Sequence, residues 1–282
     1  MRAAETLIDL ALAEDLRECG DITTVAVARR DLDHEVPARI FAKSEGVLAG
    51  LPLVAQVFAR AHAIMPYELL AEDGARVEAG SAVVRLHGNA GAILTYERTA
   101  LNFLQRLSGI ATLTRKYVEA VAGTKAVILD TRKTTPGWRA LEKYAVRCGG
   151  GQNHRMGLYD MFLLKENHLA AAGGITAAVR RCREYAVQQG EQWRLEVEAK
   201  NIAEVAECLQ AGVDQIMLDN MPLEEMRKAV DLVAGRVPLE ASGNVNLERV
   251  AAIAATGVDY ISIGALTHSA PVLDFSLLIL PA

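Results

Sequence analysis

The sequence predicts an α/β protein: a mixed N-terminal α/β unit followed by a parallel α/β barrel. Three observations carry this. Beyond Ala126, short apolar runs that end in a polar residue or glycine alternate with helical patterns. Two helix exits echo each other, Ala211-Gly212-Val213-Asp214 and Thr256-Gly257-Val258-Asp259. In each, glycine stops the helix and the next strand begins. The first hundred or so residues lack that rhythm. About six βα units fall short of the usual eight, so the barrel reads as incomplete.

The elements follow in order. Glu5, Asp9, Glu14 and Asp15 punctuate the apolar residues of the N-terminus, which reads as a short amphipathic helix and not a signal peptide. Ala38 to Ala42 and Val47 to Ala49 read as strands, and Leu51 to His62 as a helix. Residues 72–84 alternate and turn like a β-hairpin. A long amphipathic helix is expected from Tyr96 to Ala122, broken or kinked at Gly109. The barrel strands then end at Asp130, Lys165, Glu198, Asp219, Ser242 and Gly264. Helices are expected from Ile202 to Ala211 and from Leu247 to Thr256.

Composition bounds the function. With 282 residues, 51% of them hydrophobic and 23% charged, the chain has material for a sizeable core. Its net charge of −5 argues against nucleic acid as the main partner. Cys19, Cys148, Cys182 and Cys208 are scattered without a CxxC pair, which fits a reducing cytoplasm better than a zinc or disulfide framework. No charge-free apolar run reaches the ~18 residues of a membrane span.

A barrel carries its chemistry at the carboxyl ends of its strands. Charged residues gather there, and ion pairs sealing the barrel mouth are the plain alternative to a shared active site. Arg132, Lys133, Arg139, Arg155 and Lys165, with His154, have the charge to hold two carboxylates on one ring. Each charge-assisted bond contributes on the order of 1.5–3 kcal/mol. Arg139, Lys143 and Arg147 recur every four residues, read partly as a solvated face and stand outside the site. Glu198 and Asp219 end neighbouring strands. Their oxygens suit Mg²⁺, or positive charge developing on a sugar ring, or an ion pair with Lys133 or Lys165. Ser242-Gly243-Asn244-Val245-Asn246 and Gly264-Ala265-Leu266-Thr267-His268 follow the last two strands, where backbone N–H groups at helix starts bind phosphate. His268 reads equally well as a structural histidine.

With these residues named, the chain closely resembles the quinolinate phosphoribosyltransferase family, the decarboxylating nicotinate-nucleotide pyrophosphorylases of NAD biosynthesis. The matching blocks are Glu14-Asp15 with Gly20-Asp21-Ile22-Thr23-Thr24, then Glu97-Arg98-Thr99-Ala100-Leu101-Asn102, Asp130 to Arg139, Lys143 to Val146, and Gly149 to Gly157. Leu164 to His168, Glu196 to Glu198, Ile216 to Asn220, Glu240 to Gly243 and Gly257 to Ser269 follow in order.

The resemblance implies an α/β sandwich domain over residues 1–110, joined by the segment 271–282, and an incomplete barrel over 111–270. It implies transfer of phosphoribose from phosphoribosyl pyrophosphate to quinolinate with Mg²⁺ in the cytoplasm, by a homodimer or a multiple of dimers. Arg132, His154, Arg155 and Lys165 would grip the quinolinate carboxylates, helped by Thr131. Arg98 would reach into the partner's site. Lys133, Glu198, Asp219, Ser242, Gly243, Asn244, Gly264, Ala265 and Leu266 would serve the phosphoribosyl donor and its metal. Lys133, Lys165, Glu198 and Asp219 would be the catalytic set, with Glu198 and Asp219 as metal ligands.

The chain departs from the family pattern at Asn244, where a second glycine is frequent, and at Trp138 and Glu166. Three rivals stand beside this reading: a transferase that accepts nicotinate without decarboxylation, a Schiff-base lyase using Lys133 or Lys165, and a non-catalytic relative associated with molybdenum transport. The second cationic subsite formed by Arg98, Arg155 and Lys165 opposes the first. The flanking acids oppose the second. The intact Lys143-Tyr144 and Asn153-His154-Arg155 blocks oppose the third.

Overall fold

A computed structural model describes residues 2–27, 34–61 and 65–281. In chain order the elements are α1 (Arg2–Leu16), α2 (Ile22–Val27), β1 (Glu35–Ala42), β2 (Gly46–Val47), α3 (Leu51–Phe58), β3 (Tyr67–Leu69), β4 (Arg76–Val77), β5 (Ala82–Asn89) and α4 (Ala90–Ala120). They continue with β6 (Val127–Leu129), α5 (Arg139–Cys148), β7 (Phe162–Leu164), α6 (Glu166–Ala172), α7 (Ile175–Gln189), β8 (Leu195–Ala199), α8 (Ile202–Ala211), β9 (Gln215–Asp219) and α9 (Leu223–Val233). The last are β10 (Leu239–Ser242), α10 (Leu247–Ala254), β11 (Tyr260–Ser262), α11 (Ala265–His268) and β12 (Phe275–Ile279). The chain divides into two compact units, Met1–Arg115 with Thr134–Gly150 and Leu266–Ala282, and Lys116–Lys133 with Gly151–Ala265.

The first unit holds a four-stranded antiparallel sheet in the order β12-β1-β5-β3. Along β1, Val36, Ala38, Ile40 and Ala42 are buried while Glu35 and Arg39 are exposed, the alternation of a strand with one face on the core. In α1, Ala4, Ile8 and Leu12 are buried, four residues apart on one helical face. The Asp73 carboxylate accepts from the Gly50 and Leu51 N–H groups at 2.9 and 3.1 Å, capping α3 from a distant loop.

Three expectations need correction here. Residues 72–84 do not pair as a hairpin: β4 pairs with β2, and β5 pairs with β1 and β3. The expected helix is longer and continuous, and Gly109 does not break it. A Cβ on Gly109 would lie 2.0 Å from the Pro271 carbonyl oxygen, so this glycine admits the C-terminal segment against α4. Residues 134–150 cluster with the first compact unit. Lys143 on α5 is 1% exposed and lies on no solvated face. The end of the expected helix from Leu51 to His62 lies outside the described residues.

The second unit is a six-stranded parallel sheet in the order β6-β11-β10-β9-β8-β7. Each strand is short and buried on both faces, as helix-covered parallel strands are. β6 and β7 form the two edges and share no ladder among the described residues, so the barrel is incomplete. Gln152 pairs with the edge strand at Leu129, and the backbone of 152 exchanges hydrogen bonds with Ile128 and Asp130. Gly212 ends α8 with φ 76°, and Gly257 turns the chain toward β11 with φ 93°.

Candidate active site

Strand alternation in the second unit sorts the polar residues into two tiers. Glu196 and Glu198 share one face of β8, Gln215, Met217 and Asp219 one face of β9, and Glu240 and Ser242 one face of β10. The register sets Glu196 beside Gln215, Glu198 beside Met217, Met217 beside Glu240, and Asp219 beside Ser242. The lower tier is sealed, with Glu196, Gln215 and Glu240 at 0%, 3% and 0% exposure. The upper tier, at the carboxyl ends of the strands, is half-buried.

In the upper tier Lys165, the residue just before α6, turns its Nζ onto the Glu198 carboxylate. Lys165 is one of the two partners weighed from sequence. The Asn220 amide donates to Asp219 Oδ1 at 2.9 Å, and its own Oδ1 accepts from the Asn244 amide at 3.0 Å. Gly243 has φ 91°, and a Cβ there would fall 2.1 Å from Asn220 Oδ1. Glycine is therefore required both by the backbone angle and by the close approach. Asn220 and Asn244 are themselves left-handed, with φ 53° and 52°, a conformation asparagine tolerates. The carbonyl of Asn244 accepts from the Arg249 guanidinium at 3.0 Å, and Asn246 caps α10. Gly264 and Ala265 follow β11 and are half-buried.

At the end of β6, Asp130 is fully buried and accepts from the His154 N–H at 2.9 Å and from the Asn153 amide. Its role is to hold the neighbouring Asn-His-Arg segment. Thr131 Oγ1 accepts from the Lys133 N–H at 3.0 Å, which shapes the turn carrying Arg132 and Lys133. Arg155 is half-buried, with one guanidinium N–H on the Met161 carbonyl at 3.3 Å. Burial, then the like charge of Arg132, draws its pKa below the ordinary guanidinium value. Asp160, Glu196 and Glu198 offset part of that shift, and guanidiniums gathered at a strand end suit an anion.

His154 departs from the sequence reading. Its ring is 8% exposed and turns into the lower tier, with Nε2 3.0 Å from Glu196 and 3.3 Å from Glu240. Gln215 donates its amide to both glutamates, at 2.7 and 2.8 Å. Burial pushes the His154 pKa down, but hydrogen bonds and charge from the two glutamates outweigh it and hold it up at about 10. Burial, then the charge of Glu240, raises Glu196. The Arg155 N–H facing His154 Nδ1 at 2.7 Å favours the neutral ring. One such bond, about 1 kcal/mol, loses to two buried carboxylates that each need a cation.

Arg98 and Leu266 belong to the first unit: Arg98 is exposed on α4, and Leu266 is buried in α11. The sequence reading missed Glu196, Gln215, Glu240 and Asn220 as site residues. The first three carried a signal, since each is a polar residue inside an otherwise apolar strand.

With this geometry in place, the comparisons are direct. The family described as quinolinate phosphoribosyl transferase, C-terminal domain, matches residues 110–278, and its N-terminal domain matches residues 21–108. Quinolinate phosphoribosyltransferase [decarboxylating] 1b of Nicotiana tabacum is 45% identical over 96% of this chain and 81% of its own length. A probable nicotinate-nucleotide pyrophosphorylase [carboxylating] of Synechocystis sp. is 46% identical over 94% of this chain and 89% of its own. The solved nicotinate-nucleotide pyrophosphorylase of Francisella tularensis superposes with a TM-score of 0.94 at 40% identity, covering 99% of this chain and 96% of that one. This chain belongs to the quinolinate phosphoribosyltransferase family.

Proposed function

We propose that this protein transfers phosphoribose from phosphoribosyl pyrophosphate to quinolinate, with decarboxylation, giving nicotinate mononucleotide, pyrophosphate and CO2 in NAD biosynthesis. The observation that carries the reading is the pair of crowded guanidiniums, Arg132 and Arg155, beside a strand-end tier of carboxylates. Arg132, Arg155 and Lys165 grip the two carboxylates of quinolinate, with Thr131 shaping the turn that carries Arg132. Ser242, Gly243, Asn244, Gly264, Ala265 and Leu266 cradle the phosphates of the donor. Lys133 neutralises charge on the departing pyrophosphate.

The chemistry follows from these placements. The pyridine nitrogen attacks the anomeric carbon with its lone pair, and the C–O bond to pyrophosphate breaks. Positive charge grows on the ribose ring, and the carboxylates of Glu198 and Asp219 stabilise it. The product ring is a pyridinium. When the carboxylate next to its nitrogen leaves as CO2, the electron pair of the broken C–C bond is stabilised by that positive nitrogen and then takes up a proton. Ribosyl transfer therefore precedes decarboxylation.

Glu198 and Asp219 are half-buried carboxylates at the ends of paired strands, a hard-oxygen donor set that fits Mg²⁺. When bound, Mg²⁺ supplies positive charge to the diphosphate leaving group. The active form is a homodimer or a multiple of dimers in which Arg98 reaches the partner's site; its exposure on α4 supports this. No described helix is long and apolar enough to cross a membrane. A cytoplasmic location is supported by the four free cysteines.

The test is a steady-state assay with quinolinate, phosphoribosyl pyrophosphate and Mg²⁺ that follows CO2 and mononucleotide together. Equal, Mg²⁺-dependent formation of both, absent with nicotinate, is the expected result. Turnover of nicotinate without CO2 would overturn the substrate assignment. Absence of product from either ring would overturn the reaction.

A further inference from the structure

The mechanism above leaves the sealed lower tier without a task. Glu196, Gln215 and Glu240 come from three consecutive strands and touch one another through the Gln215 amide. They lie two residues before Glu198, four before Asp219 and two before Ser242, on the same strand faces. Two buried carboxylates and an amide in a barrel core are a costly choice if stability is their only purpose, because well-packed apolar side chains do as well or better. Glu240 Oε1 is buried without a hydrogen-bond partner, so the cluster is not optimised for the fold. It reaches the site through His154, whose Nε2 both glutamates face, and through the charge of Glu196, which also acts on Arg155.

His154 is held from two sides. The glutamates take the ring at Nε2, and Asp130 accepts from its backbone N–H at 2.9 Å. The backbone that aims Arg155 is therefore tied, through one imidazole, to three residues of the barrel core.

We propose that Glu196, Gln215 and Glu240 are positioning residues that act through His154 to fix Arg155 in the quinolinate pocket. They touch no substrate. Their effect falls on the acceptor and not on the phosphoribosyl donor, whose loops at Ser242–Asn244 and Gly264–Leu266 hang on other contacts. The inference rests on the proposed acceptor site, so its test must separate the two.

The experiment compares the wild-type protein with Glu240→Leu, Glu240→Gln and Gln215→Leu, measuring both Michaelis constants and the melting temperature. Gln215→Leu removes the bridge while leaving both glutamates on His154, and it also frees the Arg194 guanidinium that donates to Gln215 Oε1 at 2.6 Å; it serves where Glu240→Leu does not fold. We expect the quinolinate KM to rise about tenfold or more in the leucine variants, with the donor KM within about twofold. Glu240→Gln, which still accepts from the ring, recovers part of the loss. The melting temperature falls in the leucine variants, since each removes one partner from a buried cluster, so both constants are measured below every variant's melting range. Wild-type turnover with both constants moving together, or neither moving, would overturn the positioning role alone. A wild-type protein that does not turn over quinolinate overturns the functional reading and this inference with it.

Discussion

Gly243→Ala tests the donor loop most sharply. At φ 91° an L-residue is strained, which costs about 1–2 kcal/mol. The new methyl would sit 2.1 Å from Asn220 Oδ1 and 2.5 Å from its Cγ. The Asn220 side chain must therefore leave, breaking its bonds to Asp219 at 2.9 Å and from Asn244 at 3.0 Å. Each is worth about 1 kcal/mol, so the total comes to ~3 kcal/mol. The loop is half-exposed, so we expect it to shift rather than unfold the barrel. At 1.4 kcal/mol per tenfold, the donor KM rises about a hundredfold. Quinolinate binding, measured by calorimetry without donor, stays level. Asn244→Gly is the control: it keeps the backbone angle, loses one bond, and changes the donor KM by less than about fivefold. A Gly243→Ala protein whose donor KM stays within about twofold of wild type would refute the assignment of this loop to the phosphoribosyl donor.

Three further outcomes are expected. Gly109→Ala gains about 1 kcal/mol of helix propensity but drives a methyl into the Pro271 carbonyl, so denaturant melts should show a net loss of about 2 kcal/mol. The His154 pKa is raised, to about 10, so its contribution is fully present below its unfolded value near ~6.5 and lost as pH rises through the folded one. Unfolding free energy should fall between those limits, less steeply in His154→Asn, and ¹⁵N shifts of the His154 ring should report an imidazolium at neutral pH. Finally, Arg98→Ala and Lys133→Ala proteins, each inactive alone, should recover about a quarter of wild-type activity when mixed and reassembled, because half of the dimers carry one intact site. No recovery would place Arg98 outside the partner's site.

Much of the architecture was legible in the chain. The rhythm of apolar run, polar end, helix and glycine exit is local, and local periodicity dictates which segments become parallel strands. It foretold all six barrel strands and the turns at Gly212 and Gly257. The blocks around Arg132, Arg155, Glu198 and Asp219 were equally visible, because a charge at the end of an apolar run stands out from it. What a sequence cannot express is which distant surfaces meet. Gly109 reads as a helix breaker until Pro271 is seen to pack on it. Residues 72–84 read as one hairpin, yet β4 pairs with β2 and β5 with β1 and β3. His154 reads as a ligand for substrate, and only the register of β8, β9 and β10 shows its ring captured by two glutamates from below. Local spacing chose the elements and the chemistry at their tips. The folded barrel alone decided which of those side chains stand half-exposed at the strand ends and which are sealed beneath them, because that choice depends on contacts between residues far apart in the chain.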